Sequence, residues 1–116
     1  MSTFLRLLPK PIRQSMFLVL AMLTRGMTLG VRMLVRNKQG HILLVRHTYV
    51  AGWHLPGGGV ERGETMIDAV HKELDEEVRV KPESRPQLFH IYRNPRTSRY
   101  DHVALYIISD WSGPAF

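Results

Sequence analysis

The sequence predicts an α/β (α+β) domain, short strands built around one amphipathic helix. Two observations carry this. Aliphatic and β-branched runs at residues 29–35, 42–45, 88–92 and 103–108 are strand-like. Between the second and third run, Ile67, Val70, Leu74 and Val78 recur at spacings of 3, 4 and 4 residues, the mark of one buried helix face. At 116 residues the chain is long enough for one domain with a real core and hardly for two.

Each element has a local reason. Residues 1–27 form a separate apolar segment: Arg6, Lys10 and Arg13 precede an eight-residue apolar run at 16–23. The layout resembles a weak secretory leader, but no small-x-small cleavage site follows it. Pro11 is tolerated in a first helical turn, so a helix can begin there. Being apolar nearly all round, that helix needs cover from the domain, from a second copy as a homodimer, or from a membrane surface. Eight residues fall far short of the ~20 that span a bilayer. The domain proper covers 28–116. Asn37, Lys38, Gln39 and Gly40 read as a hairpin turn joining the first two strands. Trp53, His54 and Leu55 are extended, since the residue before Pro56 avoids the α region. Gly57, Gly58 and Gly59 permit close backbone approach. Thr65, with Asp68 three residues on, is placed to cap a helix of about 14 residues. Pro82 and Pro86 fence the next loop, and a basic turn at 93–101 links the last two strands.

Charge and composition narrow the function. There is no cysteine, which excludes disulfides, thiolate metal sites and a cysteine nucleophile, and fits a reducing, cytoplasmic setting. The net charge is +6, with a pI near 10.2. Seven of the ten acids lie within 61–77 beside only two bases, so that stretch carries −5 and the remainder +11. An acidic patch in a basic body suggests a bound cation beside a polyanion. Nucleic acid is not the favoured partner: no helix-turn-helix pattern, aromatic-rich strand motif or zinc spacing accompanies the charge.

On a helical wheel Glu73, Glu76 and Glu77 fall on one stripe, away from the apolar face. Three carboxylates at i, i+3 and i+4 repel one another without a counter-ion. Mg²⁺ or Mn²⁺, hard cations with oxygen ligands, are the natural compensation.

Read from Gly58 to Val80, the stretch GGVERGETMIDAVHKELDEEVRV resembles the signature of the Nudix hydrolases. That signature is Gly, five residues, Glu, seven residues, Arg-Glu-aliphatic, any residue, Glu-Glu, any residue, Gly-aliphatic. Both spacers match, and Gly58, Glu64, Glu73, Leu74, Glu76, Glu77 and Val80 sit at matching positions. The family's arginine is Lys72 here, which lacks the planar fork that orients a glutamate. Its helix-ending glycine is Arg79, which costs roughly 1–2 kcal/mol if the left-handed conformation is kept. A further strand and second helix usual in the family are not found before Phe116, so the pattern reads as a truncated α/β/α sandwich with a mixed sheet.

The resemblance implies Mg²⁺- or Mn²⁺-dependent hydrolysis of the pyrophosphate bond in a nucleoside diphosphate linked to another group. It implies Glu73, Glu76, Glu77 and the Gly58 carbonyl as metal ligands. Glu73, Glu76 and Glu64 are the catalytic candidates, with Glu76 or Glu73 as general base and Glu64 serving the metal shell or a water. Arg46, Trp53, Arg93 and Arg96 are the substrate-binding candidates, the arginines for phosphates and the indole for a base. Arg32 and Arg99 are further phosphate candidates, and His54, Tyr92 and Tyr100 further stacking ones. Asp101 or His102 is placed to add a metal-shell group. Pro95, fifteen residues after Val80, is where an ADP-ribose-specific group often has proline. The alternative is a catalytically weak module that binds nucleotide or a protein, consistent with Lys72 and Arg79.

Overall fold

The computed structural model describes residues 12, 14–16, 19, 27–49, 51–95 and 101–114. In chain order the elements are β1 (Thr28–Val35), β2 (Val45–Arg46), β3 (Trp53–His54), β4 (Gly57–Gly59), α1 (Met66–Val78), β5 (Lys81–Pro82), β6 (Gln87–Arg93), β7 (Asp101–Ile108) and β8 (Trp111–Ser112). The fold is mixed α+β. Four strands form the main sheet in the order β4-β1-β7-β6. β1 and β7 run parallel from Thr28↔Asp101 to Val35↔Ile108, and β4 and β6 flank them antiparallel. A parallel pair needs a long crossover, and here the connection includes α1.

Alternation in the two central strands makes the core. Val31, Met33 and Val35 of β1 and Ala104, Tyr106 and Ile108 of β7 are buried in one cluster with Ala69, Val70 and Leu74 of α1 and Val80 beyond it. Each large side chain buried there contributes roughly 1.5–3 kcal/mol. β6 is exposed along its whole length and carries an irregularity between Leu88 and His90.

Two expectations need correction. The turn at Asn37 forms: its Oδ1 accepts from the backbone N–H of Gln39 and His41, and Gly40 takes φ 84°. The 42–45 run is not a strand of that hairpin, however. Ile42 makes a single bridge to Arg36, and Val45–Arg46 pairs with β3 instead. All four residues of the run are apolar, so its sequence does not mark an inner face; Leu43 packs against the core, while Ile42 and Leu44 are exposed. A further strand, which the sequence does not reveal before Phe116, also follows β7. β8 pairs with β5, and the Trp111 indole donates to the Arg36 carbonyl at 2.9 Å while packing against the core. In the N-terminal segment Ile12, Gln14, Ser15, Met16 and Val19 are helical. The cover expected of the other apolar residues in 16–23 falls outside the described residues.

Helix α1 begins and ends as its sequence requires. Thr65 Oγ1 accepts from Asp68 N, and the Asp68 carboxylate accepts from Thr65 N, a complete capping box. These bonds to Thr65 hold the Asp68 carboxyl below its usual range. At the other end Arg79 adopts φ 55°, ψ 38°, and the Val80 N–H reaches back to the Leu74 carbonyl at 3.2 Å. The turn that the sequence leaves conditional is therefore kept, with a non-glycine in it. Arg79→Gly should stabilise the protein by about 1 kcal/mol, read as a melting-temperature rise of a few degrees. A lower melting temperature would show that Arg79 is held by more than its cap.

Candidate active site

The site is assembled where β4 meets α1. β4 lies against β1 with Gly58 opposite Val31. A Cβ at Gly57 would collide with the Val31 carbonyl, so this approach needs glycine. A Cβ at Gly58 would lie 2.5 Å from Glu73 Cδ and Oε1. The bare Cα of Gly58 is thus the wall against which the Glu73 carboxylate rests.

The loop into the helix is tied from within. Glu64 Oε1 accepts from the Glu61 N–H at 2.7 Å and from Lys72 Nζ at 3.2 Å. Chiefly through the Glu61 N–H, the Glu64 carboxyl is held below its ordinary value. Lys72 Nζ also lies 3.9 Å from both Glu61 Oε2 and Glu73 Oε1. Its hydrogen bond to Glu64 is the largest influence and raises its pKa, so it stays charged. One ammonium therefore joins the loop, the helix and the Glu73 carboxylate. If that link positions Glu73, Lys72→Ala should lower turnover and Lys72→Arg preserve or raise it. Equal rates in all three proteins would exclude an orienting role.

Glu73 and Glu77, four residues apart, are half-buried neighbours. Burial, then a shared hydrogen bond and the charge of Glu77, push the Glu73 carboxyl up, with Lys72 opposing. Glu77 Oε2 is buried with no hydrogen-bond partner. A buried carboxylate oxygen left unpaired is costly, and a hard cation is the partner its chemistry fits. Glu76 is exposed on the same stripe. Among the described residues no three His, Asp or Glu side chains form a closed cage, so the preformed part is the Glu73–Glu77 pair, with Glu73 against Gly58.

The other candidates scatter. Arg46 and Trp53 face each other across the β2–β3 hairpin, the guanidinium 6.0 Å from the indole centroid. Arg93 lies on β6, at the sheet edge opposite Gly58 and three inter-strand spacings (~14 Å) away, so it does not join the carboxylates. Arg32 is spent on structure, donating to the Leu55 carbonyl at 2.9 Å. Asp101 is likewise engaged, accepting from Thr28 Oγ1 at 2.7 Å and from Asn94. Arg96, Arg99 and Tyr100 lie outside the described residues. Sequence reasoning missed Glu61, whose backbone N–H anchors Glu64. The signal was its position three residues before that glutamate.

Residues 26–115 match the NUDIX domain. The chain belongs to the Nudix hydrolase family. Among its relatives, an RNA pyrophosphohydrolase of Psychrobacter cryohalolentis is 39% identical over 57 residues, 49% of this chain and 33% of that protein. One from Coxiella burnetii is 42% identical over 59 residues, 50% of this chain and 26% of that protein. The matched stretch is thus half of this chain and a third or less of those relatives. Nudix structures share the fold. The Escherichia coli ORF135 protein superposes with a TM-score of 0.63 at 24% identity, covering 78% of this chain and 66% of its own. A MutT NUDIX hydrolase from Burkholderia pseudomallei also gives 0.63 at 24% identity, covering 77% of this chain and 71% of its own. Among the described residues, no helix is long and apolar enough to cross a membrane.

Proposed function

We propose that this Nudix chain is a Mg²⁺- or Mn²⁺-dependent hydrolase that cleaves a pyrophosphate bond in a nucleoside polyphosphate, with the triphosphorylated 5′ end of RNA as its preferred substrate. The observation that carries the hydrolase reading is the half-buried Glu73–Glu77 pair, with Glu73 packed against the bare Gly58 and a Glu77 oxygen unpartnered. The preference for RNA departs from the reading of charge and motifs, which did not favour nucleic acid, and rests on the activity for which the relatives of the matched half are named. The absence of cysteine fits work in the cytoplasm.

Glu73 and Glu77 would hold the cation, with Glu76 and the Gly58 backbone completing its oxygen shell. A bound divalent ion neutralises charge on non-bridging phosphate oxygens and makes a water nucleophilic near neutral pH. The protein's own groups divide the remaining work. Lys72 tethers Glu73 to the loop, and Glu64 keeps that loop closed through Glu61. Glu76, exposed on the same stripe, is the candidate either for that shell or for the base that takes the proton of the attacking water.

The reading is tested by following phosphate, pyrophosphate and nucleotide release from ATP, GTP, ADP-ribose, a dinucleoside polyphosphate and a 5′-triphosphorylated oligoribonucleotide. Each is assayed with Mg²⁺, with Mn²⁺ and with EDTA. Metal-dependent release, fastest from the oligoribonucleotide, is expected. No release from any substrate would favour a binding module instead, a reading consistent with Lys72 and Arg79 at the two departing positions.

A further inference from the structure

Two polar side chains, Arg85 and Tyr106, are used neither by the core nor by the carboxylate site. Glu73 rests against β4, at one edge of the main sheet. Toward the other edge, the first turn of α1, residues 85–86 and strands β6 and β7 border a hollow of about 300 Å³. A second hollow, of about 590 Å³, adjoins it and shares Thr65, Ile67, Arg85 and Pro86. Leu88 is opposite Tyr106 in register, so both side chains lie on the face of the sheet that carries α1. Tyr106 is only 3% exposed, yet its hydroxyl has no hydrogen-bond partner among the described residues. A buried phenol ordinarily finds one. Tyr106 lines the smaller hollow together with Arg85, whose charge acts on the phenol. Arg85 makes no ion pair or hydrogen bond of its own among the described residues. Its loop is nonetheless fixed, because the Glu83 N–H donates to the Asp110 carbonyl at 2.8 Å and Pro86 is fully buried.

From this juxtaposition we infer that the hollow is a binding site for a small monocarboxylate with an apolar body, such as a short aliphatic acid. The Arg85 guanidinium and the Tyr106 hydroxyl take the carboxylate, and the apolar walls take the chain. Three observations support it. The polar groups that open here are donors. Burial raises the Tyr106 pKa, so the hydroxyl keeps its proton, and a guanidinium presents a planar fork that matches a carboxylate. The remaining lining of the smaller hollow is largely apolar, with Met66, Ile67, Pro86 and Leu88, and gains from covering an aliphatic chain. Charge then selects the class of anion. Glu83 lines the adjoining hollow, and the Asp68 carboxylate lies at the backbone of Thr65, so a phosphate dianion would meet two acids with one guanidinium to offset them. A carboxylate brings a single charge and a tail that phosphate lacks. The site stands apart from the Glu73–Glu77 pair and does not depend on the hydrolase reading.

The test is a titration with hexanoate, in EDTA, followed by the backbone amide resonances of the full chain. Hexanol and inorganic phosphate are titrated in parallel, and the wild type is compared with Arg85→Gln and Tyr106→Phe. Arg85 is exposed, and phenylalanine keeps the buried ring and removes only its hydroxyl, so both variants should fold with a near-native melting temperature. Hexanoate should cause saturable shifts at Met66, Ile67 and Arg85. Arg85→Gln should raise its Kd roughly tenfold or more, and Tyr106→Phe several-fold. Hexanol and phosphate should each bind at least tenfold more weakly than hexanoate, since each lacks one half of the match. Hexanol binding as tightly as hexanoate overturns the proposal, because the hollow would then be an apolar cavity alone. Phosphate binding more tightly overturns it too, by assigning the site to another class of anion. So does the lack of any saturable shift, or an affinity for hexanoate that neither variant changes. Shifts centred on Gly58 and Glu73 instead would place the acid at the carboxylate site and equally exclude this one.

Discussion

Glu73→Gln or Glu77→Gln is expected to cut turnover by ~10²-fold or more at saturating Mg²⁺, with the fold intact. Each change removes one charged oxygen donor from a pair with little other means of neutralisation. Lys72 Nζ is 3.9 Å from Glu73 Oε1, and Glu77 Oε2 has no partner. A second readout separates metal loss from other damage. A ligand that binds only the folded state at 100 times its Kd stabilises by about 2.7 kcal/mol, so Mg²⁺ or Mn²⁺ should raise the wild-type melting temperature. Neither variant should show that rise. The metal-free wild type should also respond to pH in a definite sense. The Glu73 carboxyl is raised in the fold, mainly by burial, so the folded state binds more protons than the unfolded state between the ordinary glutamate value and the raised one. Stability from this group therefore falls as pH rises through that window, and a bound cation should offset the loss. Glu76→Gln divides two roles: a ligand would lose the metal-induced rise in melting temperature, whereas a general base would lose rate and keep the rise. Near-native turnover in both Glu73→Gln and Glu77→Gln would remove the metal assignment.

What could be read from the sequence was whatever a local pattern dictates. The spacing of Ile67, Val70 and Leu74 and the Thr65–Asp68 pair located α1 closely, since helix periodicity and capping act within a few residues. The strands of the core were legible for the same reason, although each extends beyond its apolar run: β1 starts at Thr28 and β7 at Asp101. Their parallel pairing was not legible, because partners such as Thr28 and Asp101 are 73 residues apart and nothing local encodes register. The misread 42–45 run shows the reverse failure. Hydrophobicity without alternation leaves a strand's partner undetermined, and β2 went to β3. At the site, the glutamate stripe was visible on a wheel, but its inequality was not. Glu73 and Glu77 are partly buried, Glu73 against Gly58 of β4, whereas Glu76 is exposed. Where the arginines point was equally hidden. An arginine's residue type says nothing of whether its guanidinium meets a carbonyl, as Arg32 does, or an indole, as Arg46 does.

Gly58→Ala should abolish most of the activity while leaving the fold nearly unchanged, for a reason that lies in one carboxylate. The backbone at Gly58 is not in the left-handed region, so alanine can adopt its conformation without strain. What alanine cannot do is share space with Glu73: its Cβ would sit 2.5 Å from both Cδ and Oε1. The methyl is fixed to a strand paired with β1, so the flexible carboxylate has to move. Displacing Glu73 breaks its alignment with Glu77 and lengthens its contact with Lys72 Nζ, which disturbs the donors proposed for the cation. A misplacement of about 1 Å at a reacting centre can cost 10²-fold, and a loss of that order is expected in kcat. The melting temperature without cation should change little, and the rise induced by Mg²⁺ or Mn²⁺ should be reduced or lost. Glu73→Asp, which shortens the side chain by one methylene, is the natural partner change. In the Gly58→Ala background it should recover part of the lost rate, although alone it lowers activity. If Gly58→Ala instead keeps full turnover and full metal response, Glu73 does not act from its place against this glycine, and the pair must bind its cation in another arrangement.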